Sequence, residues 1–299
     1  MSEASPAPWN AQRVRALALV TLSYVLATAA AWWVLRETHG SHAMVSVLLA
    51  DVAATLVVFG FSRATGNSSF YDPYWSLAPI AIALYLQLSL YLMQGIAVRK
   101  WLALVPILFW GVRLTFNWVR GWPGLAQEDW RYVAMRARFG RAYWPISLLG
   151  IHLFPTLCTF AGCLPLFAIM TSTRPVGALD LVGAAVALAG GVIEAIADEQ
   201  LRDFRLRSER GAICDVGLWR HSRHPNYFGE CTFWLGLCLM GLAAEPSQAL
   251  TSVIGVVVVL ALFLGYSIPA AERRAIERRP EFVQHQARVS ALVPWPRRG

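Results

Sequence analysis

The chain has 299 residues, of which 57% are hydrophobic and only 15% charged, and its formal net charge is +8. With a mean hydropathy of +0.47, that balance excludes an ordinary soluble domain and a disordered chain, and it leaves an integral membrane protein. All the basic residues but Lys100 are arginines, most of them flanking apolar runs. They are therefore read as setters of membrane orientation, and nucleic acid is not expected as a partner.

Taken in chain order, apolar runs long enough to cross about 30 Å of hydrocarbon fall near 15–36, 43–62, 75–94, 101–119, 144–171, 178–201, 228–245 and 251–271,. The predicted fold class is all-α, a polytopic transmembrane helix bundle of about eight spans, with seven to ten as the bounds. Arg13 precedes the first run, and no small-residue cleavage site closes it. It reads as an uncleaved helix and not as a signal peptide.

With both termini in the cytoplasm, the inner segments hold twenty-one basic residues and the outer segments four, namely Arg36, Arg99, Lys100 and Arg174. That asymmetry fixes the orientation. Between the fourth and fifth spans, GWPGLAQEDWRYVAMRARFGRAYW begins with a Gly/Pro turn and continues as a basic, aromatic, amphipathic stretch. It is expected to lie as a helix on the cytoplasmic surface. Residues 1–64 are read as N-terminal transmembrane helices that precede a larger membrane domain over 65–299. The cysteines at 158, 163, 214, 231 and 238 form no CxxC pair, so neither disulfides nor a metal site is expected.

Polar residues are thin in the first two spans and dense from Glu194 onward. In GGVIEAIADEQLRDFRLR, Glu194, Asp198, Arg202 and Arg205 follow one another at spacings of four, four and three, which makes one stripe of a helix,. Its deep end is acidic and its shallow end basic, a gradient suited to a ligand with a hydrogen-bonding end inside and phosphates outside. A salt-bridge ladder against the helix dipole would use the same residues. In RHSRHPNYFGE, Pro225 and Gly229 interrupt regular structure, and Arg220 and Arg223 bring forked donors,. Asn226 and Glu230 enter the seventh span four residues apart, which a juxtamembrane basic loop with Trp219 and Tyr227 as interfacial anchors does not explain.

Further upstream, Asp72 in FYDPYW opens the third span beside Pro73 and Tyr74, and Arg113 is the one basic residue inside a span. A buried acid at Asp72 could act as a neutral hydrogen-bond donor, and a structural Asp72–Arg113 pair is the alternative. Asp51 and His152 are read as lone polar residues that line no site.

The run GLWRHSRHPNYFGECTFWLG resembles the signature of the bacterial DUF1295 proteins, members of the steroid 5-alpha-reductase C-terminal superfamily that also holds the sterol C14 and C7 reductases. The likeness extends to FYDPYWSLAP, RLTFNWVRGWPGLAQEDWRYVAMRARFG, EAIADEQLRDFR and RRPEFVQHQARVSALVPWP, about residues 65 to 296. It implies an NADPH-binding membrane domain over 65–299 that passes hydride to an activated carbon–carbon double bond of a lipidic, steroid-like or isoprenoid-like enone. Matched position by position, it implies cofactor contacts at Glu194, Asp198, Arg202, Arg205, Arg220, Arg223, His224, Asn226, Tyr227, Glu230 and Trp234. Glu194 replaces the asparagine of animal 5-alpha reductases, and Phe282 and His285 stand where tyrosines are expected.

The Gln-Glu pair that polarises the steroid ketone has no counterpart in this chain. Asp72, Tyr74 and Arg113 are therefore the candidate catalytic residues, since an enone oxygen that gathers charge needs a donor in a dry pocket. No strand followed by G-x-G-x-x-G occurs, so a Rossmann unit is excluded.

Isoprenylcysteine and phospholipid methyltransferases share a related R-[HN]-P-x-Y-x-G turn, which keeps an S-adenosylmethionine-dependent lipid or prenyl methyltransferase open. Their paired glutamates near the end are here Ala271 and Glu272. A non-catalytic lipid-binding relative is the third reading. The expected partners are membrane lipids and a lipidic substrate, and the expected setting is a monomer in a bacterial inner membrane, its site open to the cytoplasm.

Overall fold

The computed structural model describes residues 9–94, 98–209 and 211–297, and among these it contains no strand, only an isolated parallel bridge between Ser222 and Ser290. The helices are α1 (Ala11–Glu37), α2 (Ala43–Thr65), α3 (Tyr74–Gln94), α4 (Val98–Gly121), α5 (Trp130–Phe139), α6 (Tyr143–Ser147), α7 (Phe154–Thr171), α8 (Ala178–Arg207), α9 (Pro225–Ala244), α10 (Ala249–Leu262), α11 (Ile268–Arg278) and α12 (Phe282–Arg288). Seven helical stretches among the described residues are long and apolar enough to cross a membrane. With the 21-residue α3 they correspond one for one to the eight expected spans.

Two boundaries differ from expectation. Residues 122–129 are not helical, because Pro123 and the positive φ of Gly124 (120°) stop the chain from winding,. Helix resumes at Trp130, with the Asp129 side chain accepting from the Arg131 amide. From there it runs to Thr171 as one stretch of 42 residues, broken at Gly140 (φ 50°) and widened to a π turn over Leu148–Leu153. The amphipathic segment and the fifth span are thus joined end to end. The eighth span likewise continues through a π turn, Phe263–Ser267, into α11.

The chain divides into two compact units, one of Pro6–Tyr85 with Gly111–Cys163, the other of Leu86–Trp110 with Leu164–Gly299. In the first, α1 and α2 pack side by side. Arg13, read from the sequence as a cytoplasmic loop charge, is instead 1% exposed. Its guanidinium donates to the carbonyls of Val119, Arg120 and Trp122, which are the acceptors that the end of α4 leaves open.

The loop after α2 is tied to the loop before α5: Asn67 donates to Leu125 and Gln127, and Glu128 accepts from the Ser68 amide. His152 bonds the Ser147 carbonyl and the Ser62 hydroxyl. Asp51 departs from expectation, because it lines a cavity of about 180 Å³ between α1, α2 and α3.

The second unit is organised by α8 and α9. A Cβ on Gly229 would sit 2.6 Å from the Glu194 nitrogen, and one on Gly190 would strike the Phe233 backbone and, at 2.5 Å, the Gly229 carbonyl. Gly236 meets the Ala187 backbone in the same way. Small residues thus bring the two backbones into direct contact, as at many helix interfaces in membranes. Arg99, counted from the sequence as an outer loop charge, is buried. It forms a two-pronged bridge to Asp180 (2.7 and 3.0 Å) and also bonds Ser172 and the Arg174 and Pro175 carbonyls.

Candidate functional site

The contact of α8 with α9 decides which polar side chains meet. Because Gly229 lies against Glu194, the α8 stripe of Glu194 and Asp198 faces the α9 stripe of Asn226 and Glu230. The Asn226 amide donates to Asp198 at 3.4 Å, and its Oδ1 is buried without a hydrogen-bond partner among the described residues. Glu230 is buried and accepts from the indole N–H of Trp234, one turn deeper, at 3.3 Å. Trp234 is in turn fixed edge-on by Phe233 and Trp110. Four hydrogen-bonding groups therefore share one α8–α9 seam, as the stripe spacings predict.

The wet end is positioned by the turn Gly217–Arg220. Trp219, an interfacial anchor only in the alternative reading of a juxtamembrane basic loop, is 8% exposed and packs with Ala197 and Cys214. Its indole donates to the Ala197 carbonyl at 2.8 Å, and Gln200 accepts from the Leu218 amide. The turn is thereby docked on α8 just before its basic stretch. Arg205 and Arg220 are exposed there, and Arg202 lies 3.7 Å from Glu199.

Arg223 and His224 have a different surrounding from the one the stripe reading gives them. Arg223 donates to Glu272 at 2.6 Å and to the carbonyls of Gln286 and Val289. His224 bonds the same carboxylate oxygen at 3.1 Å and stacks on Tyr227, whose ring also meets Phe263. Gln286 donates to the second oxygen of Glu272 at 2.6 Å. Glu272 therefore ties the head of α9 to α11 and α12. The segment is further strapped by the Arg223 amide to Ser290, the Ser222 hydroxyl to Leu292 and the Trp295 amide to His221. Sequence reasoning missed Glu272 and Gln286 as parts of this cluster; the available signal was one glutamate beside the strongly basic run after it.

In the other unit, Asp72 accepts from the Tyr132 hydroxyl at 2.5 Å, and Tyr74 donates to Asp51 at 2.6 Å. Arg113 is half-buried on α4. Burial pushes the Asp72 carboxyl up to about 6, against the opposing pull of Arg131. An acid raised in this way still holds its proton in the folded chain at pH values where the unfolded chain, with its value near 4, has lost it. Stability therefore falls as pH rises from about 4 to 6 and stays lower above that window. Asp72→Asn is expected to flatten this dependence and to stabilise the chain by about 2–3 kcal/mol at pH 8, as measured by thermal unfolding across pH. A parent whose stability does not fall across that window would contradict the raised acid.

A family model described as "Protein of unknown function (DUF1295)" matches residues 58–289, which takes in the α8–α9 seam, Glu272, Asp72 and Arg113. The chain is also 27% identical over 275 residues to "Uncharacterized protein C594.04c" of Schizosaccharomyces pombe, covering 84% of this chain and 79% of that protein. No solved structure matches it.

Proposed function

The chain belongs to the DUF1295 family, and we propose that it is a membrane-embedded, NADPH-dependent reductase acting on an activated carbon–carbon double bond of a lipidic enone, steroid-like or isoprenoid-like. The observation that carries this reading is the α8–α9 seam, with the buried, unsatisfied Oδ1 of Asn226 at its centre. A buried acceptor left open costs stability unless a ligand donates to it, and a carboxamide or a sugar hydroxyl has that donor.

The residues fit a dinucleotide that lies along the seam. Asn226 and Glu230 would take the amide end, with Glu230 held in place by Trp234. Asp198 and Glu194 would accept from sugar hydroxyls. Arg202, Arg205 and Arg220 would meet the phosphates with forked donors. Arg223 and His224 act by positioning, since Glu272 holds them at the head of α9. Bound NADPH supplies a hydride for the carbon β to the carbonyl. The chain must then place a donor at the enone oxygen and a proton at the α-carbon. We assign the acid role to Asp72, with Tyr74 and Arg113 as the supporting polar groups of its unit. The excess of arginine at these helix ends supports the further proposal that the phosphate end of the seam opens to the cytoplasm, in a bacterial inner membrane.

The test is a titration of the purified full chain with NADPH and, separately, S-adenosylmethionine, read by thermal stabilisation and tryptophan quenching. NADPH alone should give a response. Asn226→Leu should weaken it by about tenfold or more, while Asp72→Asn should leave it unchanged and slow reduction. A response to S-adenosylmethionine alone would replace the reductase with a methyltransferase, and no response to either would favour a non-catalytic lipid-binding role.

A further inference from the structure

The helix α5 is held to its unit by one face. Tyr132, Met135, Arg136 and Phe139 follow the i, i+3, i+4, i+7 spacing of a single helix stripe, and the other residues from Arg131 to Phe139 are exposed,. Tyr132 donates to Asp72 and packs with Tyr143 and Ile151. Arg136 bonds Glu128 and the Gly66 carbonyl and lies 4.0 Å over the Tyr143 ring.

The opposite face carries Val133, Ala134 and Ala137 at its centre, with Arg131 and Arg138 along one margin, and the exposed Arg141 follows the break at Gly140,. The nearby carboxylates are taken. Asp129 pairs with Arg131 and Glu128 with Arg136, so Arg138 and Arg141 have no carboxylate partner among the described residues. Neither has Arg63, exposed on the last turn of α2 three residues before the Gly66 that accepts from Arg136. Only residues 122–129 separate α5 from the end of the spanning helix α4, and α5 is joined end to end with the fifth span. It is thereby kept at the membrane boundary.

We propose that the outward face of α5 is a docking surface for anionic phospholipid headgroups, with Arg138, Arg141 and Arg63 as phosphate donors and Val133, Ala134 and Ala137 turned to the acyl boundary. A guanidinium presents forked donors that match a phosphate, and each basic residue near an anionic bilayer surface strengthens the association about fivefold. Small apolar residues between such groups suit a helix lying in the interface plane. A bilayer is favoured over a soluble phosphate because these guanidiniums are exposed and stand on separate turns, and so enclose no ion. The lipid contact braces the helix whose other face sets Tyr132 on Asp72. It does not depend on NADPH binding in the other unit.

The experiment uses the full chain in phosphatidylcholine nanodiscs that hold a trace of photoreactive lipid, its diazirine near the headgroup, with labelled positions read by mass spectrometry. Labelling of residues 130–141 should be about tenfold stronger with a phosphatidylglycerol probe than with a phosphatidylcholine probe at equal mole fraction. Arg138→Gln with Arg141→Gln should bring the two probes to within about twofold, while Arg138→Lys with Arg141→Lys should keep most of the preference, because charge sets it. Both side chains are exposed, so each pair should melt like the parent. Glycerol 3-phosphate, the charged headgroup without its chains, should not displace the label. Equal labelling by the two probes in the parent, labelling confined to other segments, or a folded Gln pair that keeps the parent's preference would each overturn the surface. Displacement by glycerol 3-phosphate would replace the lipid with a soluble phosphate. Should the Gln pair fail to fold, the comparison of probes in the parent and the Lys pair decides.

Discussion

Gly190→Val should yield a chain that no longer purifies as a single folded species, as followed by fluorescence-detected size exclusion and thermal melting. A Cβ at this position meets the Phe233 nitrogen and the Gly229 carbonyl, both backbone atoms of α9, so no rotamer change can relieve it. The helices would have to separate, and every contact along the α8–α9 seam would loosen at once. Side-chain overpacking costs about 1–3 kcal/mol, and a backbone collision belongs above that range. The control is the next residue. A Cβ on Gly191 would meet no backbone of α9: it would touch the Phe109 ring at 3.1–3.2 Å, which can shift, and Trp110 Cβ at an ordinary 3.8 Å, so Gly191→Ala should melt close to the parent. If Gly190→Val and Gly191→Ala behave alike, the close approach of α8 and α9 is wrong.

Glu272→Ala should be strongly destabilising. It removes the acceptor of Arg223, His224 and Gln286 together. The Arg223 side chain, 11% exposed, would be left as an uncompensated charge, at a cost of about 3 kcal/mol or more. Replacing both partners, Arg223→Met with Glu272→Leu, should recover much of that loss, because an apolar pair of similar volume carries no desolvation penalty. The single variant should also release α12 to protease and weaken the NADPH response, since Arg223 sets the entry of α9. A Glu272→Ala protein that melts and resists protease like its parent would refute the clasp.

These two predictions also show what the sequence made legible. The spans could be read because hydropathy is a local sum, and the seam because i, i+4 spacing puts Glu194 with Asp198 and Asn226 with Glu230 on helix faces before any fold is known. The Glu272 clasp joins residues 49 positions apart, and no periodicity encodes such a pairing. The Asp51 cavity was missed for a related reason. It is a space left by alanines on three helices, and alanine at one position says nothing about the neighbour across from it. Arg13 and Arg99 were counted as loop charges and are buried, because a count of charges is blind to whether the side chain ends in water or on a carbonyl.

The burial of Arg13 bears on how the chain is made. Its acceptor at Trp122 lies 109 residues further on. At about 5–20 residues per second of synthesis, α1 waits about 5–20 s after leaving the ribosome before the end of α4 exists to receive it. For that interval the Arg13 guanidinium lacks the carbonyls of Val119, Arg120 and Trp122 that receive it in the folded chain. Those bonds can close only after the end of the fourth helix has been made, so the last step in seating α1 waits on a segment far downstream.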